Sequence, residues 1–372
     1  MKDNPLRQLS ALGQSIWLDY IERDLITSGE LRRLIEEDGL RGITSNPSIF
    51  EKAIGGCHEY DDDIRIMALE GKNIKVIYEA LSQRDVQSAA DEFRPLYDET
   101  RGLDGYVSLE VNPHLAQDTV GTLEEARRLW ASLKRPNVLI KVPATVEGLP
   151  VIQQLINEGI NVNVTLLFGI PRYRQVAEAY LAGVEARVTQ RRPTKMVASV
   201  ASFFVSRIDA LVDPLLEKII AQGGEKAEIA KKLRGQIAIA SAKEAYQTYK
   251  EIFGSERFKK LAAKGVRTQR LLWASTSTKN PEYSDVKYIE SLIGRDTVNT
   301  IPIETLNPYR DHGKPEARIE QGVENARWML DRLPELGINI DNVTQQLEDE
   351  GIDKFNKSFD KLMETLGKSA GK

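Results

Sequence analysis

Apolar and polar residues alternate with a period of two in several short runs. Between these runs the apolar residues recur every three to four positions. The period-two runs predict strands over residues 15–20, 41–46, 106–111, 137–142, 161–166, 196–201, 271–276 and 297–302. Strands that alternate with helices pair in parallel through crossovers. Eight of them predict a closed (β/α)8 TIM barrel with additional helices rather than an open sheet.

Helix signals lie where that architecture needs them. Thr27-x-x-Glu30 and Thr122-x-x-Glu125 each have the form of a capping box, Gly39 is placed to end the first of these helices, and Pro171 suits the first turn of another. Two intervals, about 47–105 and 207–268, are too long for one helix. Their patterns predict several helices, with breaks at Gly71, Pro95, Pro214 and Gly223-Gly224. Neither interval contains a strand pattern or a Pro/Ser-rich linker, so both are expected to be helical insertions in one barrel domain spanning 1–372. A helix is expected near 315–333 and a terminal one near 345–366. The latter carries Ile352, Phe355, Phe359, Leu362 and Leu366 on one side, a stripe expected to dock on the barrel.

The strand faces carry the chemical signal. Residues two apart share a face, so Ser15, Trp17 and Asp19 oppose Ile16, Leu18 and Tyr20. Likewise Tyr106, Ser108 and Glu110 oppose Val107, Leu109 and Val111, and Asn161, Asn163 and Thr165 oppose Val162, Val164 and Leu166. Helices outside a barrel cover the apolar faces, which turns the polar faces inward. Asp19, Glu110 and Lys141 then collect at the carboxyl ends of their strands, with Thr44, Asn46, Asn163 and Thr165 beside them. Catalytic groups of such barrels gather at that end. A buried ammonium loses its preference for the charged form, and a neutral lysine amine can condense with a ketone while carboxylates move protons. The same cluster could also be a buried ion pair kept for structure.

Composition narrows the alternatives. The 372 residues are 41% hydrophobic and 28% charged, the balance of an ordinary globular protein. Fifty-one basic residues against fifty-five acidic ones leave a net charge of −4, which argues against a nucleic-acid partner. One cysteine, Cys57, allows no internal disulfide, and three histidines offer little for a metal site. No apolar run approaches the roughly 20 residues of a membrane helix, and the first residues lack a secretory pattern. A cytoplasmic protein without a zinc site is expected; monomer and homodimer both remain open.

Two stretches resemble a known family. Gly42-Ile-Thr-Ser-Asn-Pro-Ser-Ile-Phe50 resembles the first signature of the transaldolases, and Val138-Leu-Ile-Lys-Val-Pro-Ala-Thr-Val-Glu-Gly-Leu149 their second, which holds the Schiff-base lysine. The resemblance implies a class I aldol mechanism without metal or organic cofactor. In it, a three-carbon dihydroxyacetone unit passes from sedoheptulose 7-phosphate or fructose 6-phosphate to glyceraldehyde 3-phosphate or erythrose 4-phosphate, in the pentose phosphate pathway. By matching position it implies Lys141 as the imine-forming amine and Asp19 as the acceptor of the hydroxyl proton when the carbon–carbon bond breaks. It implies Glu110 as acting through a water held by Thr165, and Asn46 and Asn163 as partners of substrate hydroxyls. Ser202-Phe-Phe-Val-Ser-Arg207 resembles the family's serine and phosphate-binding arginine. The second phosphate arginine is where the chain departs: Ala274-Ser-Thr-Ser-Thr-Lys279 supplies a lysine, set later than the usual spacing, with Ser275 beside it. Lysine binds phosphate as a point charge without the fork of arginine.

Three rivals remain at this level. A sibling Schiff-base aldolase would release free dihydroxyacetone from fructose 6-phosphate. A metal-dependent barrel enzyme would use Asp19, Glu110 and His114. A non-catalytic binding protein would have lost the lysine or the aspartate.

Overall fold

Aliphatic side chains on one face of each strand, and mixed bulky and polar ones on the other, close eight short strands into one parallel barrel. In the computed structural model, which describes residues 4–371, the strands are β1 (Gln14–Asp19), β2 (Gly42–Thr44), β3 (Tyr106–Glu110), β4 (Val138–Pro143), β5 (Val162–Leu167), β6 (Ser199–Phe204), β7 (Arg270–Ala274) and β8 (Thr297–Ile301). They pair in sequence order, and β8 returns to β1 through Gln14↔Thr297 and Leu18↔Ile301. The expected (β/α)8 barrel with additional helices is the fold.

The outward faces, among them Ile16, Leu18, Val107, Leu109, Val138, Ile140, Val162 and Val164, belong to the large core beneath the helices. The inward faces fill the barrel in two zones. Trp17, Tyr106, Leu139, Val200, Leu272 and Val298 form a separate apolar plug. Gly42 makes room for it, because a Cβ there would lie 2.7 Å from the Trp17 ring. At the amino end, buried Arg270 pairs with Asp104 at 2.9 Å and donates to the Ser15 hydroxyl, so inward Ser15 serves a structural network. The polar groups toward the carboxyl end form the site described below.

Several local expectations need correction. The sixth strand begins at Ser199 instead of 196, because a turn bonds the Val197 amide to the Thr194 carbonyl and leaves Met196 exposed. Neither capping box forms. Gly29, at φ +84°, starts the helix Glu30–Glu37, whereas Thr27 closes the preceding short helix and donates to the Arg23 carbonyl. Asp118 caps the helix Thr119–Leu133 by accepting from the Gly121 amide, which leaves Thr122 inside the first turn. Pro214 does not break its helix, Ser206–Gln222. After β8 the helices are Ile303–His312 and Val323–Arg332, so the stretch expected to be helical from 315 begins eight residues later, after Gly322.

The terminal helix, Ile340–Ala370, is longer than its apolar stripe, because Asn339 caps it by accepting from the amides of Asp341 and Asn342. Phe355, Phe359, Leu362 and Leu366 are buried against helices Pro47–Gly56, Asp61–Leu69, Ile74–Glu92 and Ser206–Gln222. Each such side chain contributes about 1.5–3 kcal/mol. Polar clasps fix its register: Ser48 to Ser358 at 2.7 Å, Glu51 to Lys361 at 2.8 Å and His114 to Asp360 at 2.7 Å. No helix among the described residues is long and apolar enough to cross a membrane.

Candidate active site

Strand register sets the site. Glu110 lies beside Lys141, Lys141 beside Asn163, and Asp19 beside Thr44 in the paired strands. The Lys141 side chain is 6% exposed; its Nζ donates to the Ser45 carbonyl at 2.9 Å and lies 4.0 Å from Glu110 Oε2. The hydroxyl of Thr44 donates to Asp19 Oδ1 at 2.7 Å and lies 2.6 Å from that of Thr300. Beneath them Asn163 donates to the Ser108 hydroxyl at 3.0 Å and accepts from Ser202 at 2.6 Å.

The carboxylates feel this enclosure. Loss of hydration pushes Glu110 up to about 7; the attraction of Lys141 opposes the shift, and the negative charge of Asp19 adds to it. At 4.0 Å, with its own hydrogen bond directed to Ser45, the lysine offsets only part of that loss of hydration. Neither Glu110 oxygen has a hydrogen-bond partner among the described residues, nor does the Thr165 hydroxyl. Burial also raises Asp19, against the pull of Lys141 and the hydrogen bond from Thr44.

A cavity of about 170 Å³ opens above the amine. Its wall includes Asp19, Thr44, Asn46, Lys141, Ser202, Arg207, Ser275 and Lys279, so eight of the eleven expected residues meet there. Glu110, Asn163 and Thr165 are absent from the wall and belong to the strands around its floor. Asn46 also caps the helix Pro47–Gly56, accepting from the Ile49 amide at 3.0 Å, which leaves its Nδ2 group for other partners. Ser275 sits at φ +54°, ends β7, and turns the chain toward Lys279.

The wall also includes residues that sequence reasoning missed. Thr300 is inward on β8, where the period-two rule already aligns it with Val298. Glu304 opens the next helix. Lys354 and Phe355 come from the terminal helix, and no local pattern joins them to the barrel mouth; the only signal was that Lys354 borders the apolar stripe.

A lysine buried next to a carboxyl group, with Asp19 lining the same cavity at the carboxyl end of a parallel barrel, is the arrangement of an enzyme's active site. Residues 16–366 match the family described as transaldolase/fructose-6-phosphate aldolase. The chain is 49% identical over 370 residues to the transaldolase of Trichodesmium erythraeum, covering 98% of this chain and 97% of that one. It is 45% identical over 364 residues to that of Thiobacillus denitrificans, covering 98% and 100%, and 47% identical over 371 residues to transaldolase 2 of Nostoc punctiforme, covering 98% and 97%. The chain belongs to the transaldolase/fructose-6-phosphate aldolase family, as its two signature stretches implied.

Proposed function

We propose that the enzyme transfers a dihydroxyacetone unit between sugar phosphates through an imine on Lys141. The observation that carries this reading is the enclosed amine within 4.0 Å of Glu110, in the wall of a cavity that Asp19 also lines. The Nζ adds to the C2 carbonyl of a ketose phosphate, and the resulting carbinolamine loses water to give the imine. Glu110, with an affinity for protons matched to neutral pH, supplies and recovers protons in this step through a water held by Thr165. Asp19 then takes the proton from the C4 hydroxyl as the C3–C4 bond breaks. The bonding electrons pass into the imine to form an enamine, and the shortened aldose leaves.

The enamine carbon adds to the aldehyde of the acceptor, whose oxygen regains the proton from Asp19, and hydrolysis releases the new ketose. Thr44, Asn46, Asn163 and Ser202 are the polar groups available to hold the hydroxyls of the three-carbon unit. Fixing them keeps the enamine aligned until the acceptor arrives. Arg207 and Lys279, with Ser275, line the same cavity and suit the phosphate. The relatives named above are transaldolases, which favours transfer over release of free dihydroxyacetone. The assay is tetrose-dependent formation of a seven-carbon ketose from fructose 6-phosphate; free dihydroxyacetone as the main product would overturn the transferase reading.

Glu110→Gln tests the proton shuttle. Activity is expected to fall roughly 10²-fold, and the inflection near pH 7 in kcat is expected to vanish. Stability should move the other way. Because the folded state raises Glu110 from 4.5 to about 7, the native protein holds its proton more tightly than the unfolded chain. The carboxyl group therefore erodes stability as pH climbs through that window. Relative to the parent, the glutamine variant should gain on the order of 2–3 kcal/mol between pH 5 and pH 8, read from urea unfolding at the two pH values.

A further inference from the structure

The cavity above Lys141 carries more positive charge than the strand motifs account for. Its wall holds four cations, Lys141, Arg207, Lys279 and Lys354, against two carboxylates, Asp19 and Glu304. Glu304 adds its charge to the field at Asp19, and both carboxylates also act on Lys279. The other three cations come from separate parts of the fold: Arg207 from the start of the helix after β6, Lys279 from the loop after β7, and Lys354 from the middle of the terminal helix.

The terminal helix is built to hold Lys354 at this place. Gly351, one turn earlier, faces the end of β5, and a Cβ there would approach the Leu166 side chain to 2.9 Å. Glycine inside a helix costs about 1 kcal/mol relative to alanine, which its close approach to the barrel offsets here. Phe355, the next residue after Lys354, is buried and lines the same cavity. Glu348, two turns before Phe355, pairs with Arg172 at 3.4 Å.

We infer that Lys354 is a third cation of the phosphate grip, so that the terminal helix completes the substrate site and sets its preference for phosphorylated sugars. This rests on reading Arg207 and Lys279 as the phosphate-binding pair. The electrostatics agree. Burial and then the charges of Arg207, Lys279 and Lys52 all disfavour the ammonium of Lys354, and no carboxylate counters them. Burial and Arg207 also lower Lys279, here against the pull of Glu304 and Asp19. Four cations against two carboxylates leave a surplus of positive charge in the cavity, and a bound dianion relieves the repulsion among them. A structural ion pair would have set a carboxylate against Lys354, as Glu178 and Glu185 lie against Arg257.

The test compares fructose 6-phosphate with unphosphorylated fructose as donor, and adds inorganic phosphate as a competitive inhibitor. For Lys354→Ala the KM for fructose 6-phosphate is expected to rise roughly tenfold, the loss of one charge-assisted contact, with kcat within about twofold. The ratio of kcat/KM for the two donors should fall by a like factor, phosphate inhibition should weaken, and Lys354→Arg should restore most of the preference. An unaltered ratio, or equal losses on both donors, overturns the inference. Arg207→Ala in parallel separates the two claims. Lost preference in that variant alone rejects only the role of Lys354, whereas retained preference in both rejects the phosphate site itself.

Discussion

Replacing Lys141 with alanine is expected to lower turnover by roughly 10⁴-fold or more, the scale of removing the nucleophile from a set of groups that act together. No neighbouring amine can substitute for it: Lys279 and Lys354 line the cavity, but the strand register aligns only Lys141 with Glu110. The fold should survive. Lys141 contributes one hydrogen bond, to the Ser45 carbonyl, and a distant pairing with Glu110. Its ammonium lowers the proton affinity of both Asp19 and Glu110, so its removal should raise both carboxyl groups further and favour their neutral forms, which the buried site tolerates. Circular dichroism and a cooperative melt would confirm the fold. Residual activity within tenfold of the parent would remove Lys141 from the reaction.

Asp19→Asn should produce a different defect. The amide cannot take the C4 hydroxyl proton, so carbon–carbon cleavage should slow by roughly 10²–10⁴-fold, the usual contribution of a positioned acid–base group. Imine formation does not need that proton. The variant should therefore accumulate the donor imine, with a fast first phase of ketose binding and a slow release of aldose in single-turnover kinetics. Thr44 can rotate to accept from the new amide, which keeps the side chain in place. Wild-type cleavage, or loss of imine formation itself, would show that Asp19 has another task.

The strand-borne part of the site was legible in the sequence because a strand has a strict period of two. Once helices claim Ile16, Leu18, Val107 and Val138, the direction of Asp19, Glu110 and Lys141 follows from counting. Asn46 was legible for a second reason: Asn-Pro marks a helix start, and the end of β2 places that start at the mouth. What escaped was set by tertiary geometry. Lys354 reaches the cavity only because the terminal helix crosses the barrel at Gly351, a close approach that no local pattern encodes. The caps failed for a local reason, since Gly29 and Asp118 outcompeted the nearby threonines for the first turn. Arg207 and Lys279 were expected as a pair. If Lys354 joins them as proposed, the loop lysine that stands where an arginine was expected is backed by a second point charge in place of the bidentate fork.

The central claim is the covalent bond on Lys141, and borohydride reduction during incubation with fructose 6-phosphate tests it most directly. Hydride reduces the imine to a stable secondary amine, and peptide mass spectrometry then locates the added three-carbon unit. The expected result is a single adduct on Lys141, in the parent and in Asp19→Asn with its intact six-carbon donor, and none in Lys141→Ala. An adduct on another lysine, or inactivation with no adduct at all, would contradict the account.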